Sequence, residues 1–131
     1  MIRNSLLVLV LMFIATVGNA GESTEVEAYD GLKEVNAVRA ARGLKPYIYD
    51  EGLARAAAGC ATYRAERLMA GHTNNDFSAL PAGSTASAAG CAAWEPGMGW
   101  GACCTYDNYT YCGAAWKLGR DGKRYMHLFV R

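Results

Sequence analysis

The sequence predicts an α+β domain: a small antiparallel sheet packed against N-terminal helices and stapled by disulfides. Three observations predict it. Two stretches in the first half carry helical periodicity, the chain closes on a β-hairpin pattern, and five cysteines follow an apolar leader.

The leader comes first. Met1-Ile2-Arg3-Asn4 is a short n-region, Leu6 to Val17 is almost wholly apolar, and Val17-Gly18-Asn19-Ala20 places small residues before a cleavage point. This is the pattern of a secretory signal peptide over residues 1–20. The competing reading, a membrane anchor, needs about 20 apolar residues and the run is too short. Cleavage leaves residues 21–131 as one domain, exported to the extracellular space or to a periplasm. It also removes one base and no acid, so 12 bases face 12 acids and the formal charge is zero (the full chain has 13 against 12). Such a balance offers no basic face to nucleic acid or to an anionic membrane.

The first helix pattern runs from about Glu27 to Arg42. Leu32, Val35 and Val38 recur on one side, acids lie early and Arg39 and Arg42 late, and Gly43 supplies the stop. Leu44 to Tyr49 reads as an extended connector, because Pro46 biases Lys45 away from helix. Asp50 is then a good N-cap for a second helix, rich in alanine, that closes at Gly71 and ends beside His72. Its apolar side holds Leu53, Ala57, Ala61 and Leu68, so Cys60 points inward.

Residues 73–90 are rich in Ser, Ala, Gly and Asn and read as a long loop. Cys91 to Cys104 is dense in Gly, Trp and Cys without a period, and reads as irregular structure held by disulfides. Tyr109 to Trp116 is β-rich, Gly119-Arg120-Asp121-Gly122 is a turn, and Lys123 to Val130 alternates. Both sides of that last strand are largely apolar, which predicts cover on both faces.

In an exported chain the five cysteines read first as disulfides, with Cys60, Cys91, Cys103 and Cys104 the candidates and one cysteine left over. At least four are expected to be bridged, Cys60 among them. No C-x-x-C is present, so zinc-finger spacing is absent. A cysteine nucleophile, Cys104 or Cys112, would need a thiolate in a protected setting. No G-x-S-x-G elbow occurs.

The order of these elements resembles the CAP superfamily, the domain of SCP, cysteine-rich secretory, antigen 5 and pathogenesis-related 1 proteins. LKEVNAVRAARGL is similar to its first helix, Gly71-His72-Thr73 to its helix-ending histidine, Tyr109 to Trp116 to its Y-x-x-V-G-x-G strand, and Arg124 to Val130 to its last core strand. Ser87 to Trp94 resembles a degraded G-E-N-I-A segment. The resemblance implies an α-β-α sandwich and a cleft that often holds two histidines and two glutamates, with Zn²⁺ bound through the histidines in some members. Here the second histidine's position falls on Arg124, with His127 three residues later, and the glutamate of G-E-N falls on Cys91.

His72 and His127, the only histidines, are therefore the candidate catalytic or metal-ligating pair, with Glu95 or Asp76 as carboxylate partner and zinc as the conceivable ion. Trp94, Trp100 and Arg124 are the candidate ligand-binding residues, two aromatics on a glycine-rich loop being able to stack on a sugar or grip an apolar ligand. The sequence favours a non-catalytic extracellular module that binds an apolar small molecule, a glycan or a protein. A divergent hydrolase or metal-dependent enzyme using His72 and His127 is the alternative, and a lipid or sterol carrier is the third.

Overall fold

The structure is a computed structural model and describes residues 27–131. The expected signal peptide lies outside the described residues. The elements are β1 (Tyr29–Asp30), α1 (Leu32–Ala41), β2 (Ile48–Tyr49), α2 (Glu51–Arg67), a 3-10 turn (Asp76–Ala79), β3 (Ala88–Trp94), β4 (Tyr111–Leu118) and β5 (Arg124–Val130). The fold is α+β, with two helices and one small five-stranded sheet. Strand order is β1-β4-β5-β3, antiparallel throughout, and short β2 joins β4 in parallel. No helix among the described residues is long and apolar enough to cross a membrane.

The hairpin β4–β5 is the centre of the sheet, and its two faces bury different helices. Met126, Leu128 and Val130 join Leu32 and Val35 of α1 in one cluster, with Tyr47, Ala114 and Cys112. Phe129 and Ala115 join Leu53, Ala56, Ala57, Cys60 and Ala61 of α2 in the other. Alternation along β5 sends successive side chains to opposite faces. Both sets are apolar because both faces are covered, as the sequence predicts.

The helix signals act as their residues dictate. Asp50 accepts a hydrogen bond from the Leu53 amide at 2.9 Å, closing the first turn of α2. Gly43 takes φ +71° after α1, and the Leu44 amide returns to the Arg39 carbonyl at 3.0 Å. Two boundaries differ from expectation. α1 begins at Leu32 rather than near Glu27, because Tyr29 and Asp30 pair with Trp116 and Ala115 of β4. α2 ends at Arg67 rather than Gly71, with Leu68 turning left-handed at φ 52°. Buried Arg64 draws the chain back there: its guanidinium donates to the carbonyls of Gly71, Ala70, Met126 and Ala92.

A full strand spans the end of the expected loop (73–90) and the start of the stretch expected to be irregular (91–104). Ala88 to Trp94 pairs residue for residue with β5, from Ala88 opposite Val130 to Trp94 opposite Arg124. Its Ala, Gly and Cys have weak strand preference, and the partner strand supplies the order. Gly90 is required in it, since a Cβ there would stand 1.8 Å from the Cys103 carbonyl oxygen.

The expected bridges among Cys60, Cys91, Cys103 and Cys104 are not formed in this structure: all five cysteines are free. They are spread over four pieces of the scaffold, with Cys112 on β4. Cys60 packs inside α2, Cys91 lies on β3 opposite His127, and Cys103 and Cys104 lie on the loop after Trp100. Polar ties hold that loop instead. Arg39, buried on α1, donates to the carbonyls of Thr105 and Asp107 at 2.9 and 2.8 Å, and the Tyr47 hydroxyl donates to Cys104 at 2.6 Å.

Candidate functional site

His72 and His127 meet on the α2 side of the sheet. His127 is on β5 and is fully buried, while His72 lies just beyond α2 with its side chain 46% exposed. Their rings stand edge to face with centroids 6.1 Å apart. The carboxylate between them is Asp76, at the start of the 3-10 turn and itself buried. Its Oδ2 accepts from His72 Nδ1 and lies 3.4 Å from His127 Nε2. Its Oδ1 accepts from the Thr73 amide at 2.8 Å and from the Thr73 hydroxyl.

This geometry sets the protonation states. Burial pushes the Asp76 carboxyl upward, but hydrogen bonds from the Thr73 hydroxyl and His72, with the nearby His127, hold it below the usual carboxylate range. Burial drives His127 down to about 4, more than Asp76 can restore, and Arg64 and His72 add to the fall. His127 is therefore a neutral imidazole at pH 7. Neither of its ring nitrogens has a hydrogen-bond partner among the described residues.

Cys60 completes the cluster from below. Its thiol reaches toward the Asp76 carbonyl at 3.8 Å. Burial, and secondarily the Asp76 charge, push it up to about 12. The ligand atoms of Cys60, Asp76 and His127 all lie within 4.8 Å of one another. Beside them is a cavity of about 530 Å³ between α2 and the loop carrying Asp76, lined by Gly59, Cys60, Tyr63, Thr73, Asn74 and Ser78 among others.

The remaining sequence candidates fall elsewhere. Glu95 is exposed beyond the end of β3, so Asp76 rather than Glu95 is the acid beside the histidines. Trp100 is buried against α1, its indole N–H donating to Glu34 at 3.2 Å. Arg124 pairs with the same Glu34 at 2.7 Å and stacks on Trp116 at 3.9 Å. Glu34 thus binds two of the three ligand-binding candidates into a packing cluster that includes α1, while Trp94 stays part-exposed over Gly101. Asp76 was legible as an acid four residues after His72; its burial and its place between two histidines were not.

In comparisons with known proteins, no family model matches the chain, and neither a curated protein nor a solved structure matches it significantly.

Proposed function

We propose that the chain is a secreted, CAP/SCP-like domain that works as an extracellular binding module, taking a small ligand into the cavity beside His72. The observation that carries this reading is the cavity of about 530 Å³, within the size range of ligand sites, walled by uncharged side chains. Tyr63 offers an aromatic face there, and the Arg67 guanidinium covers one side of its ring at 3.5 Å. The site has one carboxylate, and it is already engaged by Thr73 and His72. A second acid, which paired acid and base catalysis would use, is not at hand among the described residues, Glu95 being remote.

Gly59 gives a clean test, because a Cβ at that position meets nothing within 4 Å. Gly59→Phe fills the cavity mouth and leaves the packed face of α2 alone. Protein purified from its host is expected to carry a small molecule detectable by native mass spectrometry and organic extraction, and Gly59→Phe is expected to lose it while keeping its circular dichroism. A sterol or other lipid in the extract would identify the carrier version. A wild-type protein that binds nothing refutes the proposal.

One observation favours a second reading. Asp76 orients the half-exposed imidazole of His72 through Nδ1, the arrangement a general base requires. If the chain hydrolyses peptides or esters and His72→Ala abolishes the activity, the divergent-hydrolase reading replaces the binding one.

A further inference from the structure

We propose that Cys60, Asp76 and His127 form a three-ligand site for one divalent transition-metal ion, Zn²⁺ being the best fit, with His72 outside the ligand set as the group that holds Asp76. This set differs from a pair of histidines.

Three side chains from three elements converge: the Cys60 thiol from α2, the Asp76 carboxylate from the 3-10 turn and the His127 imidazole from β5. Around tetrahedral zinc, with bonds of about 2.0–2.3 Å, neighbouring ligand atoms stand roughly 3.3–3.8 Å apart. His127 Nε2 and Asp76 Oδ2 already stand 3.4 Å apart, and all three ligand atoms fall within 4.8 Å. Drawing the Cys60 thiol in by up to about 1 Å completes the arrangement.

The second observation is His127 itself. An imidazole with no exposed surface and two unpartnered ring nitrogens is an unusual thing to leave in a core. Neutral imidazole is the form that binds metal, and burial enforces that form here. An ion at Nε2 satisfies one of the two orphaned atoms.

Charge and donor type agree on the class of metal. Thiolate, carboxylate and neutral imidazole suit zinc and its neighbours rather than calcium or magnesium, which take oxygen. Thiolate plus carboxylate neutralises a divalent ion, so the loaded site as a whole carries no net charge. Cys60 is protonated in the metal-free protein, so binding exchanges the thiol proton for the metal–sulfur bond and releases one proton per ion. His72 and the Thr73 amide and hydroxyl hold Asp76, as outer-shell groups commonly hold a ligating carboxylate. Cys60 also lines the cavity, which leaves the fourth coordination position to water or to a donor atom of a bound ligand.

The test uses the full folded chain, reduced and freed of metal by chelator, then titrated with Zn²⁺ and separately with Co²⁺ as a spectroscopic stand-in. One equivalent is expected to bind, with a near-ultraviolet thiolate-to-cobalt charge-transfer band and one proton released per ion. Cys60→Ser is expected to lose the band, and Asp76→Asn to weaken binding. His72→Ala is expected to keep the band and the stoichiometry while losing roughly 10–100-fold in affinity. Cys112→Ala, buried in the α1-side cluster, controls for other thiols and should retain the band. Circular dichroism of each variant separates a lost ligand from a lost fold. A folded wild-type chain that binds neither ion, an unaltered band in Cys60→Ser, or a native disulfide at Cys60 each overturns the proposal. Binding abolished by His72→Ala but indifferent to Cys60→Ser assigns the ion to the histidines and also overturns it. Because the readouts are metal stoichiometry and a sulfur band, they stand apart from whether the cavity carries an organic ligand.

Discussion

Gly113→Ala probes how closely α2 is seated on the sheet. A Cβ at Gly113 would lie 1.9 Å from the Ala54 amide nitrogen and 2.1 Å from the Leu53 carbonyl carbon. Both are backbone atoms, so no rotamer relieves the clash. Ordinary contact begins at 3.4 Å, and 3.4 − 1.9 leaves the N-terminal half of α2 to lift by 1.5 Å. Overpacking of this kind typically costs about 1–3 kcal/mol. The lift also opens a gap under Leu53, Ala56 and Ala57, where they meet Ala115 and Phe129. A radial gap of ~1 Å forfeits up to about half of each dispersion contact. The sum is on the order of 3 kcal/mol, a large part of the ~5–15 kcal/mol that holds a domain together. With a urea slope of about 1–3 kcal/mol/M, the unfolding midpoint should fall by roughly 1–3 M. Gly59→Ala on the same helix is the control. It meets no atom within 4 Å and should raise stability by up to about 1 kcal/mol through helix propensity. Equal midpoints for wild type and Gly113→Ala would refute the account of α2 resting directly on the β4 backbone.

Two further predictions rest on single groups. His127 has a folded-state pKa near 4 against an ordinary 6.5. Between those values the unfolded chain binds more protons than the folded one, so stability rises with pH across that window and falls as the solution is acidified. For chelator-treated protein the loss from pH 6.5 to 4 should approach about 3 kcal/mol, with Asp76, also lowered, adding to it at still lower pH. Denaturant midpoints at pH 7 and pH 4.5 check this, and His127→Gln should flatten the upper part of the profile. Asp50→Ala removes the cap on the Leu53 amide and the pairing of Asp50 with Arg131 at 2.6 Å. It should cost about 1 kcal/mol in thermal or urea unfolding, nearly all of it from the cap, the exposed pair contributing little.

Local chemistry made much of the fold legible. Asp50, Gly43 and the turn before Arg124 set helix and hairpin ends through their own backbone preferences, and β5 announced two covered faces by being largely apolar on both sides. Ala88–Trp94 gave no such signal, because its residues form a strand only when β5 lies beside them. Tyr29 and Asp30 left the first helix pattern for the same reason: β4 offers them hydrogen bonds. The site divides in the same way. His72 and His127 stand out as the only histidines, but their approach depends on α2, the chain drawn back over Arg64, and β5.

The sequence by itself determined the two helices, the closing hairpin, the inward face of Cys60 and the singling out of His72 and His127 as candidates, because periodicity, caps and residue scarcity are local properties. Only the tertiary structure decided which acid meets them. Asp76 and Glu95 are both acids within reach of the histidines along the chain, and nothing local ranks them. The 3-10 turn folds Asp76 under α2, where three hydrogen bonds hold its charge against desolvation, whereas the chain beyond β3 leaves Glu95 in water. Burial and convergence depend on chain paths far apart in sequence, and those exist only once the sheet has closed.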